Sequence, residues 1–120
     1  MYKVNNNDFK ILDRIKRFSN LLDNAVENIP NKDIVYKDRV KELTMDIMYE
    51  IVFASYCEKN ELKKHYSIFK SKLSLLDFLL DRFVSKGYIK EECVNKLLSL
   101  LVEVNKMGNS FIKGLIENEC

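Results

Sequence analysis

Residues 73–87 read LSLLDFLLDRFVSKG, and this stretch decides the fold. Its leucines and phenylalanines recur at adjacent positions as well as at spacings of three and four, so they surround a helix axis instead of lining one side. Gly87 then ends the helix, because glycine adopts the left-handed conformation of a C′ residue without strain. The stretch therefore predicts the end of a long helix that buries more than one face.

The same helical period continues on both sides of this stretch and predicts four helices. The 120 residues contain only one proline and three glycines, so few positions can interrupt a helix. Pro30 ends the first helix, because the residue before a proline is driven out of the α region. Asp33 and Asn60 are the expected N-caps of the second and third helices. We expect helices over residues of about 8–28, 34–57, 61–86 and 90–117.

One side of each helix is predicted to face a common core. The expected core stripes of helices one, two and four are Ile11, Ile15, Phe18, Leu22, Ala25 and Ile29; Val40, Leu43, Ile47, Ile51 and Ala54; and Val94, Leu97, Leu101, Val104, Gly108, Ile112 and Leu115. In helix three the apolar residues surround the axis, and no single stripe stands out among Leu73, Leu75, Leu76, Phe78, Leu79, Leu80, Phe83 and Val84. The connections are short, which makes neighbouring helices antiparallel. The predicted fold class is all-α, and the architecture is an up-down-up-down four-helix bundle in a single domain, residues 1–120.

Helices two and three carry apolar side chains beyond their core faces. In helix two, a second strip consists of Met45, Met48, Val52, Phe53 and Tyr56. One small bundle has no room to bury both strips, so we expect further copies of the chain to cover the second. Contacts made through two different faces close into a ring or continue as a filament, and we expect a closed ring. The alternative is a monomer whose core takes in both strips.

The motifs of known enzymes are missing from the chain. It has no glycine-rich phosphate loop, no nucleophile elbow and no HExxH helix. Its one histidine, His65, lies in a lysine-rich turn of helix three and is expected at the surface. Asp77 and Asp81 are four residues apart, but no second carboxylate pair of the di-iron type accompanies them. We expect no catalytic residue, no metal and no cofactor.

The spacing of the cysteines and the length of the apolar runs indicate the cellular compartment of the protein. Three cysteines, Cys57, Cys93 and Cys120, show neither a disulfide framework nor zinc-ligand spacing. The first two are expected as small buried apolar residues, and Cys120 as a free thiol at a frayed end. No run approaches the ~18 consecutive apolar residues of a membrane span, and the N-terminus shows no secretory signal. We expect a cytoplasmic protein without a membrane partner.

Two rows of cations are the strongest indication of a ligand. Lys10, Arg14 and Arg17 lie at i, i+4 and i+7 on helix one. On helix three, Tyr66 lies between Lys63 and Lys70 in a row of the same spacing. Such rows can follow a phosphate backbone while the tyrosine stacks on a base. The alternative is an ordinary solvated helix face, since the net charge is only +2.

The row on helix three changes sign along its length. After Lys63 and Lys70 it continues through Ser74 to Asp77 and Asp81, so cations come first and acids last. The helix macrodipole favours the opposite order. Local helix stability therefore does not account for these charges. Either they pair with a neighbouring helix or subunit, or the two halves face ligands of opposite charge.

Several runs also resemble a known family. They are Asn28-Ile29-Pro30, Asp38-Arg39-Val40, Asp46 to Tyr56, Gly87-Tyr88-Ile89 and Glu103 to Met107. In order and spacing they resemble the accessory variability determinant (Avd) proteins of diversity-generating retroelements. They also resemble the related proteins encoded by intervening sequences in bacterial 23S rRNA genes. The chain departs from the pattern at Asp77 and Asp81, where the retroelement branch commonly has arginine, and at Lys90, which replaces a capping serine.

The resemblance implies a homopentameric barrel of four-helix bundles, bacterial or phage in origin, that binds RNA or DNA and assists a reverse transcriptase. Together with the cation rows, it predicts a non-enzymatic accessory protein. The expected nucleic-acid contacts are Lys10, Arg14, Arg17, Lys63, Tyr66, Lys70 and Lys106. The alternative is an oligomeric protein-interaction scaffold that binds no nucleic acid, as the resemblance to the intervening-sequence proteins implies.

Overall fold

Four antiparallel helices run along an elongated body in the computed structural model, which describes residues 6–117 and the side chains of residues 10–117. The body measures 51 × 25 × 24 Å. Its helices are α1 (Asn6–Ala25), α2 (Ile34–Ala54), α3 (Lys59–Ser85) and α4 (Glu91–Glu117), and a 3-10 turn (Asn31–Asp33) precedes α2. The all-α class and the up-down-up-down bundle are confirmed.

Two helices end earlier than the sequence predicts. α1 ends at Ala25 and α2 at Ala54, each three residues short of the expected end. Beyond these points the backbone forms tighter turns. The N–H of Ile29 donates to the carbonyl of Val26 at 3.1 Å, and the N–H of Ser55 donates to that of Val52 at 3.1 Å. The last apolar residues of both segments therefore lie in turns.

The other helix boundaries also move by small amounts. α1 begins at Asn6 and α4 at Glu91, within two residues of expectation. α3 begins at Lys59, two residues early, so Asn60 lies inside the helix and the prediction that it is the N-cap is wrong. The N-cap position belongs to Glu58, whose side chain makes no capping hydrogen bond.

One core is shared by all four helices. α1 packs against α2 and α4, and α3 packs against the same two helices, so α1 and α3 are diagonal to each other. The predicted stripes are buried, except that Ala25 and Leu115 are half-buried. Val26, Leu62 and Phe69 are buried as well, although the predicted stripes omit them.

Gly108 on α4 lies against the ring of Phe69 on α3. A Cβ atom at this position would lie 2.3 Å from Cζ and 2.7 Å from Cε2 of Phe69, whose side chain is fully buried. Ordinary carbon contacts are about 3.5–4.0 Å long. Helix packing therefore explains this glycine, because the side chain of any other residue would collide with the ring.

Gly87 ends α3 as predicted. Its φ is 75°, in the left-handed region that L side chains rarely adopt. The N–H of Tyr88 donates to the carbonyl of Phe83 at 2.9 Å, and the N–H of Gly87 donates to that of Val84 at 2.9 Å. This pair of bonds is a Schellman motif, which satisfies two of the last carbonyls of the helix.

Asp33 connects the two turns at one end of the bundle. It occupies the N-cap position of α2, as predicted, but its carboxylate makes no capping bond. The hydroxyl of Tyr88 and Nζ of Lys86, at 3.3 Å, donate to that carboxylate instead. These bonds join the α1–α2 connection to the α3–α4 connection. We call this end of the bundle the two-turn end, and the end with the α2–α3 connection the one-turn end.

The Asp33 cluster makes stability depend on pH. The Tyr88 hydrogen bond, with help from Lys86, lowers the pKa of Asp33 below its ordinary value. The folded state thus binds the proton more weakly than the unfolded chain. The stabilisation from this carboxylate is complete above the unfolded pKa of about 3.9 and is lost as the pH falls through the lower folded pKa.

We expect Tyr88→Phe to reduce that dependence, because the phenylalanine cannot donate to Asp33. Urea unfolding of the wild type and of Tyr88→Phe, measured between neutral pH and pH 2, should show the curves converging towards acid. Asp33→Asn is the reference, since its amide does not titrate. Equal spacing of the wild-type and Tyr88→Phe curves at every pH would contradict the expectation.

Candidate nucleic-acid interface

The up-down topology brings the predicted nucleic-acid contacts to one end of the bundle. Most of them lie in the first half of α1, the first half of α3 and the second half of α4, and Arg17 lies just past the midpoint of α1. Because α4 is antiparallel to both of its neighbours, these three halves meet at the one-turn end. Arg14 pairs with Glu103 on α4, and Lys70 lines a groove with Asn105 of α4, so the α1 and α3 rows flank α4 on its two sides.

Acidic neighbours engage part of the α1 row. Nε of Arg14 lies 2.5 Å from Oε2 of Glu103 on α4, and its Nη1 lies 2.9 Å from Oδ2 of Asp13. Nε of Arg17 lies 3.2 Å from the same oxygen of Asp13. Arg14 therefore already forms an interhelical ion pair, which a phosphate ligand would have to share or displace. Lys10 is exposed and, among the described side chains, makes no ion pair.

The α3 row is more accessible. Lys63 and Lys70 are both exposed, and neither forms an ion pair with any described side chain. Nζ of Lys70 lies 5.9 Å from the ring centroid of Tyr66, within the range of a cation–π contact. The ring of Tyr66 is half-buried and packs against the core. It could therefore offer only an edge or part of a face to a base.

α4 contributes the cations between the two rows. Lys106 is exposed and lines an open hollow of about 320 Å³ together with Ile11, Met107 and Phe111. Lys113, seven residues later on the same helix, is also exposed and extends the basic surface. Sequence analysis missed Lys113, although its i+7 spacing from Lys106 is the signal that would have found it.

His65 is not the surface residue that the sequence predicts. Its side chain is only 12% exposed, and Nδ1 lies 2.6 Å from Oε2 of Glu50, itself 7% exposed. Nε2 lies 3.8 Å from Oε2 of Glu61, and the ring centroid is 4.3 Å from that of Phe53. The prediction is wrong because the side of α3 that carries His65 faces α2. The lysines around His65 in the sequence do not indicate this.

The predicted oligomer interface divides between solvent and core. Met45 is 66% exposed and Tyr56 is 54% exposed, whereas Val52 and Phe53 are half-buried. Met48 is half-buried as well and packs against the core. Tyr49, which the sequence analysis did not include, is 57% exposed and stacks on Phe53 with centroids 5.5 Å apart. We call Met45, Tyr49, Val52 and Tyr56 the α2 stripe, because their spacing places them on one outward face.

α3 also exposes apolar residues on its outer side. Leu75 is 47% exposed and Phe78 is 66% exposed, while their neighbours Leu76 and Leu79 are buried. The expectation that helices two and three carry apolar surface beyond the core of one chain therefore holds in the structure. Within one chain this surface faces solvent.

The remaining reactive groups of the described chain are two cysteines and the carboxylates around them. Cys57 and Cys93 are half-buried free thiols that pack against the core, and burial raises the pKa of Cys57. Cys120 lies outside the described residues. Among the side chains of residues 10–117, no three His, Cys, Asp or Glu residues meet in a group that could bind a metal ion.

Comparison with known proteins identifies no relative of this chain. Within residues 6–117, no helix combines the length and the apolar content that crossing a membrane requires. The chain matches no protein-family model, no curated protein and no solved structure. These comparisons assign it to no family, and the structure shows a compact four-helix all-α protein.

Proposed function

We propose that this chain is a non-enzymatic accessory protein that binds RNA or DNA through the side of the bundle centred on α4. The observation that carries the proposal is the convergence of cations from three helices at the one-turn end. Lys10, Lys63, Lys70, Lys106 and Lys113 are exposed there, and among the described side chains none of them has an ion-pair partner. A surface of this kind attracts a phosphate backbone by charge and displaces its counterions.

The charge distribution favours nucleic acid over a small anion. The cations come from three adjacent helices and extend along the first half of α1 and of α3, so they match an extended polyanion better than a single phosphate. The hollow beside Lys106 is open and shallow, with no set of converging donors that would enclose a small molecule. Contacts of this type read charge and not sequence.

The proposal includes the partners that the resemblance implies. We propose assembly into a ring through the outer faces of α2 and α3, with the α2 stripe in the contact, and a reverse transcriptase as the protein partner. The exposed Met45, Tyr49 and Phe78 support an assembly, because large apolar residues clustered on a surface favour contact with another protein. The subunit number and the reverse transcriptase rest on the resemblance alone.

The test is a charge reversal at the one-turn end. We expect the triple variant Lys10→Glu, Arg17→Glu and Lys106→Glu to lower affinity for single-stranded RNA about a hundredfold at ~0.1 M salt, by the loss of three phosphate contacts. The slope of log affinity against log salt should fall by about 2 to 3. Fluorescence anisotropy over a salt series measures both quantities.

A matched control reverses three lysines elsewhere on the chain. Lys32, Lys90 and Lys96 are exposed and lie at or near the two-turn end, so changing them to glutamate alters the net charge equally. This control should keep most of the affinity. Equal losses in the two triple variants would mean that net charge alone drives binding and would refute the interface.

The second candidate function is a scaffold that binds only protein. The α2 stripe favours it, since Met45, Tyr49 and Tyr56 are each more than half exposed. In that case the wild-type chain would show no affinity for RNA or DNA even at low salt, while remaining assembled. The same anisotropy series therefore decides between the two functions.

A further inference from the structure

The reversed charge row of α3 has no partner within the chain. Lys63, Lys70, Asp77 and Asp81 are all exposed, and none forms an ion pair with any side chain of residues 10–117. Neighbouring helices therefore do not account for the row, which opposes the macrodipole of its own helix. A surface whose one half is basic and whose other half is acidic complements itself when a second copy is turned end for end.

α4 carries a second row with the same property. Glu91 and Lys113 are exposed near opposite ends of the helix, and Val102 lies midway, eleven residues from each. Eleven residues make about three turns of an α-helix, so the three side chains lie along one side of it. Glu91 and Lys113 make no ion pair with a described side chain. This row is therefore also complementary in charge to the same row on a second copy that runs in the opposite direction.

The two rows share a midpoint. A groove of about 350 Å³ runs between α3 and α4, and Lys70, Asp77, Leu98, Val102 and Asn105 are among the residues that line it. Lys70 and Asp77 lie on either side of the level of Val102. Val102 is 54% exposed, an apolar side chain at the centre of a charged face. The centre of the α4 row is therefore apolar, the uncharged Ser74 lies at the centre of the α3 row, and the ends of both rows are charged.

We propose that the α3–α4 face binds a second copy of this chain in an antiparallel, two-fold symmetric contact. The axis lies in the interface, perpendicular to the helices, near Val102, so that α3 opposes α3 and α4 opposes α4. Lys63 and Lys70 then face Asp81 and Asp77 of the other copy, and Glu91 faces Lys113. Val102 meets its own symmetry mate in the centre, as an isologous contact requires.

The face is large enough for a specific contact. From Glu91 to Lys113, α4 extends about 33 Å, and two adjacent helices are about 20 Å wide. Two such faces bury about 1,300 Å² in total, above the ~1,000 Å² that marks a biological interface. The charged rim fixes the antiparallel orientation, because a parallel arrangement would place like charges opposite one another.

The pairing proposal does not rest on the proposed function, but both proposals use some of the same lysines. Pairing covers Lys63, Lys70 and Lys113, and Lys106 lies at the margin of the paired face, whereas Lys10 and Arg17 lie on α1 and stay accessible to nucleic acid. The nucleic-acid proposal predicts tighter RNA binding when Asp77 and Asp81 become lysine. The pairing proposal predicts loss of self-association for that variant. Anisotropy and mass measurements therefore distinguish the failure of one proposal from the failure of the other.

The experiment is a charge swap between copies. The parent carries Met45→Glu and Tyr49→Glu, so that the α2 stripe contributes no contacts. From it we would prepare an acidic copy with Lys63→Glu and Lys70→Glu, and a basic copy with Asp77→Lys and Asp81→Lys. Light scattering of nuclease-treated protein at micromolar concentration should give twice the 14.2 kDa chain mass for the parent and a single chain mass for each copy. An equimolar mixture of the acidic and basic copies should regain the doubled mass.

Two further measurements keep the test decisive. Circular dichroism should show unchanged helix content, because every substituted residue is exposed. Val102→Glu in the parent should also give the single mass, since it places like charges on the symmetry axis. A parent that is already a single chain, or acidic and basic copies that stay separate when mixed, would overturn the proposal.

Discussion

Replacing Gly108 by alanine should destabilise the bundle by about 3 kcal/mol, at the upper end of what overpacking a core costs. The new methyl group would lie 2.3 Å from Cζ of Phe69, well inside van der Waals contact. The ring is fully buried, so it has no solvent-filled space into which to swing. Alanine's higher helix propensity offsets only about 1 kcal/mol of this cost. Urea unfolding measures the net change.

Gly114 provides a matched control in the same helix. A Cβ atom there has no neighbour within 4 Å, so Gly114→Ala should stabilise the chain by about 0.5–1 kcal/mol through helix propensity alone. Phe69→Leu should recover part of the loss in the Gly108→Ala background, because the smaller side chain vacates the contested space. A Gly108→Ala variant as stable as the wild type would contradict this packing.

Replacing His65 by leucine should cost about 3 kcal/mol, although the two side chains are similar in size. Nδ1 of His65 lies 2.6 Å from the carboxylate of Glu50, which is almost fully buried. Leucine leaves that carboxylate without its partner inside the α2–α3 interface. Leaving a buried charge uncompensated typically costs about 3–5 kcal/mol. Thermal or urea unfolding at neutral pH measures the loss.

The double variant His65→Leu and Glu50→Leu tests the cause. Removing both partners should be less damaging than removing His65 alone, because no buried charge remains. Glu61→Ala is the control for the weaker contact at 3.8 Å, and its exposed carboxylate should contribute less than about 1 kcal/mol. If Glu50→Leu destabilised the His65→Leu variant as much as it destabilises the wild type, the two side chains would not be coupled.

The fold was predictable because the apolar period is nearly unbroken along the chain. Phe18, Leu43 and Leu97 each belong to a predicted stripe, Leu80 is one of the apolar residues of helix three, and all four are buried. Breakers fall between the stripes, so the four helices and their antiparallel order follow from local pattern. Helix ends were less predictable, since turns such as that at Ser55 still continue the apolar period.

Contacts between distant residues could not be predicted in the same way. Asp33 and Tyr88 are 55 residues apart, and Arg14 and Glu103 are 89 apart. Which pairs meet depends on how far each helix slides along its neighbours, and a periodic pattern leaves that displacement open. His65 was mispredicted for the same reason, since Glu50 lies on another helix.

The candidate interface was predictable in its residues but not in its arrangement. The spacing of Lys63, Tyr66 and Lys70 is visible in the sequence. That Arg14 is already paired, and that Lys113 joins the surface, depends on the order of helices around the bundle. In the same arrangement the charges of the α3 row have no ion-pair partner among the described side chains. The spacing in the sequence had left open whether a neighbouring helix pairs with them.

The Asp33 cluster has a mechanical consequence for the two ends of the bundle. At one end, two peptide connections and a shared carboxylate hold all four helices. At the opposite end, a single connection joins α2 to α3, and among the described residues α1 and α4 are held together by side-chain packing and by the ion pair of Arg14 with Glu103. We therefore expect the one-turn end to open more readily than the two-turn end, because separating α1 from α4 there stretches no helix-to-helix connection of the described chain.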